Sequence, residues 1–402
     1  MSPTARAIAF YLPQFHPIPE NSDWWGAGFT EWTNVRQARP LFAEHYQPRI
    51  PSELGYYDLR SSETREAQAE LAHSHGIEGF CYWHYWFAGR RLLERPFNAV
   101  LDSGKPDFPF CLAWANHSWT AAWVGRPWEL LVDQTYPGRA DYEAHFRAVR
   151  DAFADDRYIT VDGKPLFLVF RPDKLADPLA FADCWRELAL KAGFKGLYLL
   201  GVLNAGADAR ALGLDGGVHK GLGNLLTFLP SRLQQKAEVR RRAQVLLERP
   251  SLVHLHQAIA RSRRPSWLGP LHNLHDGISE GLLLPSVCSY RELVDAEHRG
   301  LRVGPDEFPC VIPNWDNTPR VGRWGWVLHE SSPELFAGHL RHALSFIADR
   351  PFDKRLVFIK SWNEWAEGNH LEPDQRYGRG YLEAARRELV QNVGLPMREM
   401  GS

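Results

Sequence analysis

Short apolar runs of strand length alternate with longer stretches of helical periodicity along most of this chain. Each run has the length and the β-branched and aromatic content of a buried strand, and the stretches between them repeat apolar residues at helical spacing. Regular strand–helix alternation is typical of a parallel sheet covered by helices. Strands are predicted at residues 7–12, 79–86, 109–115, 165–170, 196–203, 217–219, 309–313 and 355–359.

This series of strands predicts an α/β fold, a (β/α)₈ TIM-type barrel with long βα loops. Such barrels span about 200 to more than 400 residues. The 402 residues therefore require no second domain, and we expect residues 1–402 to form a single catalytic barrel domain. Helices are predicted at residues 63–75, 90–102, 141–154, 178–192, 333–348 and 380–393.

One basic segment interrupts the alternation. Residues 231–264 carry nine Lys and Arg against two Glu, and no aromatic side chain lies between these charges. Nucleic-acid-binding segments combine basic with aromatic residues. We therefore interpret residues 231–275 as a solvated, helical, basic insertion within the barrel domain.

The overall charge is balanced, with 47 Lys and Arg against 48 Asp and Glu. This balance predicts no nucleic-acid partner, and no apolar run approaches the roughly 18 residues of a membrane span. The N-terminus lacks the charged and apolar regions of a leader, so a cytoplasmic protein is predicted. A leader that had been removed would instead allow a periplasmic or secreted protein. The oligomeric state is left open.

The five cysteines form no CxxC pair, and their number is odd. Cys81, Cys111 and Cys310 lie in strand-like runs. Buried free thiols are therefore expected rather than disulfides or metal ligands.

Polar and aromatic residues cluster where the predicted strands end. In a parallel barrel these ends and the loops after them form one face, where ligands bind. Many of the 16 Trp lie beside polar residues there. Flat rings beside amide, imidazole and carboxylate groups suit a poly- or oligosaccharide substrate. The predicted substrate-binding residues are Gln14, His16, Glu31, Trp32, His84, Tyr85, Trp114, Asn116, His117, Asn204, Trp315, Asp316, Asn363 and Trp365.

Two carboxylates follow the eighth strand, Glu364 and Glu367 in the segment WNEWAEG at 362–368. Glycoside chemistry needs one group that protonates the leaving oxygen and a second that acts on the other face of the sugar. Two nearby carboxylates can hold different pKa values, because one charge disfavours the other. We predict that both are catalytic. In the structural alternative, Glu364 pairs with Lys360 or Arg379 and Glu367 is solvated.

Metal binding is the competing chemistry. Several histidines on different strand ends would have to converge with Asp316, but no HExxH or HxH pattern supports this. The histidines concerned are His16, His84, His117 and His370. No metal and no organic cofactor are expected, since a dinucleotide-binding GxGxxG and a serine-nucleophile GxSxG are also missing.

Several long motifs resemble one known family. FYLPQFH at 10–16, WWG at 24–26, GFTEWTNV at 28–35, GFCYWHYWF at 79–87 and WNEWAEG at 362–368 are similar to the WbsX family. Its members come from bacterial polysaccharide gene clusters and were long labelled glycosyltransferases. The resemblance covers about residues 7–393. Through the barrel and the NEWxEG segment the family is similar in turn to glycoside hydrolase family 99, the endo-α-mannosidases and endo-α-mannanases.

The resemblance implies a retaining, endo-acting hydrolase of α-linked, manno-configured bacterial polysaccharide, built from mannose or D-rhamnose. In family 99, one carboxylate removes the proton from the sugar's 2-hydroxyl, which attacks the anomeric carbon and gives a 1,2-anhydro sugar. The other protonates the leaving oxygen and then activates water. Carried onto this chain, Glu364 is the base toward O2 and Glu367 is the general acid/base.

The loop after the third strand departs from the family pattern. WbsX proteins usually read ANENW followed by RRWDG, where this chain reads ANHSW at 115–119 and AAWVG at 121–125. A carboxylate and three further charged side chains are missing. We therefore expect a less charged cleft, and we hypothesise a 6-deoxy sugar such as rhamnose as its ligand.

Two other classes of function stay open. A glycosyltransferase would need a sugar-nucleotide or lipid-linked donor, and the chain has no DxD motif in a Rossmann-like context. A non-catalytic glycan-binding protein would keep the fold without turnover, and the altered third loop is the reason to consider it.

Overall fold

The computed structural model describes residues 2–121, 126–221, 223, 226–228 and 285–391. A ring of parallel strands lies at its centre, and neighbours in the chain are neighbours in the ring. The strands are β1 (Arg6–Tyr11), β2 (Gly79–Phe87), β3 (Phe110–Trp114), β4 (Lys164–Val169), β5 (Tyr198–Leu203), β6 (Gly216–His219), β7 (Glu307–Phe308 and Cys310–Val311) and β8 (Leu356–Ile359). Because β8 pairs with β1, the predicted barrel is confirmed.

Strand β7 is split in two by Pro309. The half before it pairs with β6 and the half after it pairs with β8. Proline has no backbone N–H to donate to a ladder, while the Pro309 carbonyl still accepts from the Phe358 N–H at 2.9 Å. The predicted strand 309–313 is therefore shifted, and the ring closes nearly completely through nine strand segments.

Helices connect the strands and pack against them. Several begin at a Ser or Asp whose side chain accepts a backbone N–H, including Ser61, Asp177, Ser289 and Ser332. Helix bounds are α1 (Pro19–Trp25), α2 (Glu31–Gln37), α3 (Ser62–Ser74), α4 (Arg95–Ser103), α5 (Arg139–Phe153), α6 (Pro178–Lys191), α7 (Tyr290–Gly300), α8 (Thr318–Val321), α9 (Pro333–Ser345) and α10 (Gly380–Leu389).

Short strand pairs, most of them antiparallel, lie outside the ring of parallel strands. They are Ser2–Pro3 with Val390–Gln391, Arg90–Leu92 with β2, Trp119–Ala121 with Arg126–Val132, Thr160–Val161 with β4, Ser286–Ser289 with Trp326–His329, and Asn363–Glu364 with Asn369–His370.

Two helix predictions are wrong at one end. The helix expected at 90–102 begins only at Arg95, because the left-handed turn at 88–89 folds Arg90–Leu92 back onto β2. The helix expected at 380–393 ends at Leu389, because the next two residues pair with the N-terminal strand. The predicted insertion at 231–275 lies outside the described residues.

All five cysteines are buried, as predicted, and no disulfide joins them within the described part of the chain. Cys81 and Cys111 lie opposite each other on β2 and β3, within the main apolar core. Within the described part of the chain, no helix is both long and apolar enough to cross a membrane.

Candidate active site

A cavity of about 320 Å³ opens at the carboxyl ends of β1 to β4 and β8. This volume is at the lower end of the range of about 300–1,000 Å³ that is usual for small-ligand sites. Both predicted catalytic residues, Glu364 and Glu367, line it. They do not point to separate surfaces.

A tight hairpin after β8 presents the two carboxylates. Asn363–Glu364 pairs with Asn369–His370, and a single 3₁₀ turn carries Glu367 between them. Gly368 closes the hairpin at φ 59°, where a Cβ would come within 2.8 Å of the Asp316 Cβ. Only glycine adopts this conformation readily in so little space, so Gly368 allows the hairpin to pack on the β7 loop.

Two cations join the carboxylates into one network. The Lys360 Nζ donates to Glu364 Oε2 at 3.0 Å and to Glu367 Oε2 at 3.1 Å. Arg320 donates to Glu367 at 2.5 Å through Nη1 and to Glu31 at 2.6 Å through Nε. Both cations also line the cavity. Part of the structural alternative is therefore correct, since Glu364 does pair with Lys360, but an open cavity lies beside the pair.

The two carboxyl groups respond differently to this network. Burial raises the pKa of Glu364 to about 7, with Lys360 opposing this and the Glu367 charge adding to it. Burial alone would also raise the pKa of Glu367, but Lys360 and Arg320 outweigh it and hold that pKa well below its ordinary value. Below pH 7 the pair therefore carries about one negative charge, with the shared proton mainly on Glu364, and that proton is lost as the pH rises through about 7.

Aromatic rings form much of the cavity wall. Trp83 lies beneath Glu364 and donates its Nε1–H to Oε1 at 2.8 Å. Trp119 meets the Tyr85 ring edge-on at 5.1 Å and the Trp24 ring at 6.0 Å. Flat apolar faces beside hydrogen-bonding groups are what a pyranose ring requires of a binding site.

Three of the predicted substrate-binding residues line this cavity, namely Gln14, Tyr85 and His117. His117 is exposed along the cavity wall, but the surrounding protein still desolvates its ring in part. This desolvation, with the nearby Arg171 charge, lowers the pKa of His117 to about 4. Its imidazole is therefore neutral at pH 7 and offers one hydrogen-bond donor and one acceptor.

His84 and Trp114 were predicted to bind substrate, but they face the helices outside the barrel and do not line the cavity. His84 Nε2 lies 2.9 Å from His145 Nε2 on α5, and Trp114 packs edge-on against the same imidazole. Successive side chains on a strand point to opposite faces. Trp83 and Tyr85 therefore face the cavity, while His84 between them faces the helical layer.

Other predicted residues hold the loops in place and do not line the cavity. Asn363 binds the backbone N–H and C=O of Leu12, and Asn116 binds those of Arg171. Amide side chains match a backbone N–H and C=O pair, which explains why Asn stands at both positions.

Four further predicted residues lie away from the cavity. Trp32 donates to the Tyr57 carbonyl, and Trp365 stacks on His370 at 3.7 Å, so both belong to the core below the site. His16 is fully buried and bonds the Pro13 carbonyl, whereas Asn204 is exposed beyond β5.

Glu31, Trp315 and Asp316 surround the site without lining it. Glu31 is fully buried against Arg320, and the Lys360 Nζ lies 4.9 Å above the Trp315 ring. Asp316 accepts from His45 and Gln47 and borders a second cavity, of about 610 Å³, on the other side of the β7 loop. Among the described residues, no three His, Cys, Asp or Glu side chains are grouped to hold a metal ion.

Several lining residues were missed by the sequence predictions. Period-two alternation on β2 would have identified Trp83 once Tyr85 was assigned to the cavity. Arg320 carried no such signal, because its approach depends on how the β7 loop folds over α2. The missed lining residues that matter most are Asn21, Trp24, Trp25, Trp83, Trp119, Arg320 and Lys360.

Comparisons with known proteins agree with this architecture. The family model described as glycosyltransferase WbsX matches residues 7–385. The uncharacterized protein WxcX from two strains of Xanthomonas campestris pv. campestris is 36% identical over 390 residues, which is 96% of this chain. The chain spans about half the length of these curated relatives, 50%.

Among solved structures, two of the glycoside hydrolase family 99 (GH99) endo-α-mannosidase from Bacteroides thetaiotaomicron match with a TM-score of 0.52. One of them is 14% identical and covers 95% of each chain. A protein described as glycoside hydrolase-like matches with a TM-score of 0.52, at 13% identity over 96% of this chain and 94% of its own. At this identity the likeness shows the fold. The family match over nearly the whole chain shows that this protein belongs to the WbsX family.

Proposed function

We propose that this protein is a retaining, endo-acting glycoside hydrolase that cleaves α-linked, manno-configured bacterial polysaccharide. One observation carries the proposal: Glu364 and Glu367 line the same aromatic-walled cavity and contact the same Lys360 ammonium. The likeness in fold to GH99 endo-α-mannosidases supports it.

The spacing of the two carboxylates favours retention of configuration. Because one ammonium contacts an oxygen of each, those oxygens lie within about 6 Å of each other. Retaining enzymes hold their carboxyl groups about 5–5.5 Å apart, whereas inverting enzymes need about 6.5–9.5 Å to admit a water. The route through a 1,2-anhydro sugar also needs both groups close to one sugar ring.

In the free site, the proton lies on a different carboxyl group from the one that the implied roles require. The proposed mechanism therefore needs one additional proton transfer. Those roles need Glu364 ionised toward the 2-hydroxyl and Glu367 protonated toward the leaving oxygen. The network instead leaves the shared proton on Glu364 when no sugar is bound. Both carboxyl groups contact the same Lys360 ammonium, so we propose that the proton passes from Glu364 to Glu367 as the sugar binds.

The sugar recognised is proposed to be D-rhamnose rather than mannose. His117 stands on the cavity wall with a neutral ring, next to Ser118 and Trp119. A wall with apolar rings and few charges suits the methyl group of a 6-deoxy sugar better than a 6-hydroxyl.

Incubation with purified α-mannans, α-D-rhamnans and other bacterial O-polysaccharides, followed by sizing of the products, tests the proposal. We expect oligosaccharides from a rhamnan, released faster than from mannan. Cleavage of mannan at an equal or higher rate would refute the 6-deoxy assignment, and release of monosaccharides only would refute endo action.

Glycosyl transfer is the second candidate, because the family model carries that description. It requires binding of an activated donor. Calorimetric titration with a panel of nucleotide sugars distinguishes the two functions: micromolar affinity supports transfer, and its absence together with hydrolysis excludes it. Hydrolysis also excludes a purely glycan-binding role.

A further inference from the structure

Three carboxyl groups and two cations form the centre of the cavity network. Arg320 lies between Glu31 and Glu367, and Lys360 lies between Glu367 and Glu364. The five side chains alternate in charge, as a chain that begins at Glu31 and ends at Glu364. If every group were ionised, the chain would carry one excess negative charge.

Glu31 is the acidic member with no role in the chemistry proposed above. Its side chain is fully buried at the start of α2, and its Oε2 has no hydrogen-bond partner among the described residues. It does not line the cavity, so it reaches the reacting groups only through Arg320. Burial raises the pKa of Glu31, and the Arg320 charge opposes that rise. The ion pair with Arg320 is therefore what favours the ionised form of Glu31.

We propose that Glu31 is a positioning residue that holds Arg320 against Glu367 and, through its own charge, keeps one proton on the Glu364–Glu367 pair. Without the Glu31 charge, two cations would face two carboxylates, which favours ionisation of both against the effect of burial on Glu364. With it, two cations face three carboxylates, and one proton is retained to balance the charge. Glu31 thereby helps the Glu364–Glu367 pair to retain the proton that glycoside cleavage needs.

The other groups that face the pair do not substitute for Glu31 in this balance. Trp83 and Tyr85 are neutral, and His117 is a neutral imidazole near pH 7. Among the described residues, the charged and titratable groups that act on the pair are Lys360 after β8, Arg320 on α8, Glu31 on α2, Tyr85 on β2, His117 after β3 and Cys310 on β7.

The inference rests on the proposed function for its catalytic meaning, but its test needs no substrate. The Trp83 Nε1–H donates to Glu364 at 2.8 Å. Its indole ¹H–¹⁵N resonance, assigned by Trp83→Phe, therefore reports the protonation of the pair during a pH titration. In Glu31→Gln the amide oxygen can still accept from Arg320, so the change removes charge with little change in shape.

We expect the midpoint of the Trp83 titration to fall by about one pH unit or more in Glu31→Gln. Glu31→Asp, which keeps the charge, should leave the midpoint close to the wild-type value. The exposed Glu44→Gln should leave the midpoint unchanged. Arg320→Gln, which removes a cation, should move it upward and serves as the test if Glu31→Gln does not fold.

An unchanged midpoint in Glu31→Gln, or in Arg320→Gln, overturns the inference even if the wild type hydrolyses glycans. A shifted midpoint in a protein that cleaves no glycan would instead confirm the charge balance and count against the proposed function. In an active enzyme, Glu31→Gln should move the alkaline limb of the kcat/KM profile to lower pH by the same amount. A uniform loss of rate at every pH would indicate a merely structural role.

Discussion

Two buried glutamates on the loop after β8, Glu364 and Glu372, titrate alike in very different surroundings. Burial raises the pKa of each to about 7. Glu364 lines the cavity, shares Lys360 with a second carboxylate and is 4% exposed. Glu372 is 2% exposed and lies outside the cavity, where its hydrogen-bond donors among the described residues are neutral: Tyr57, Gln68 and Trp365.

The comparison shows that a raised pKa does not by itself identify a catalytic acid. The proton on Glu372 is enclosed by the core, and the hydrogen-bond partners that the structure describes for Glu372 include no second carboxylate. The proton on Glu364 lies between a cavity and Glu367. An open cavity and a second carboxylate nearby, rather than the pKa, distinguish Glu364 from Glu372.

The largest expected effect separates the cavity pair from Glu372 by activity. Glu364→Gln and Glu367→Gln should each reduce kcat on a cleaved polysaccharide by at least ~10²-fold, the usual scale for acid/base groups. Glu372→Gln should retain kcat within a few-fold at a temperature where it is folded. Product release measured by reducing-end assay checks all three, and near-normal turnover by either cavity variant would remove the distinction.

The pH dependence should follow the cavity pair. The reaction needs one proton on the pair, and that proton is lost as the pH rises through the pKa of Glu364, about 7. We expect kcat/KM to fall about tenfold per pH unit above that value. On the acid side activity should persist below pH 4.5, the ordinary value for a glutamate, because the pKa of Glu367 is lowered. A rate that rises steadily from pH 7 to 9 would contradict this assignment.

The smallest effect concerns stability and sharpens the role of Glu372. Its pKa is raised from 4.5 in the unfolded chain to about 7, so its stabilising contribution is full below pH 4.5 and is lost as the pH rises through 7. Glu372→Gln leaves one buried donor without an acceptor, at about 1–3 kcal/mol. Thermal denaturation should show the largest loss of Tm near pH 5 and a smaller loss at pH 8. An equal loss at both pH values would mean that Glu372 is ionised throughout.

The barrel was predictable because strand–helix alternation is a local pattern that survives folding. The exceptions arise at single residues or at helix ends, where contacts with distant parts of the chain determine the structure. Strand β7 is split because Pro309 has no backbone N–H to donate to a neighbouring strand. The last predicted helix ends early because the residues after it pair with a strand at the N-terminal end of the chain.

The presence of Glu364 and Glu367 in one cavity was also predictable, because both carboxylates stand in one short segment. The sequence did not show which of the other predicted residues line the cavity. Neighbouring residues on a strand face opposite sides, and the folding of the long loops determines where the remaining side chains lie. His84 and Tyr85 are one residue apart, yet only Tyr85 lines the cavity. Arg320 joins the network through the fold of the β7 loop, which no spacing in the sequence encodes.

The central claim is that Glu364 and Glu367 act as one unit on a glycan in a shared cavity. Comparing kcat/KM of the two single glutamine variants with that of the double variant tests it most directly. If the pair acts together, the double variant will be no slower than the slower single variant, since either change already disables the unit. If the two losses multiply in the double variant, the residues act independently and the account is contradicted.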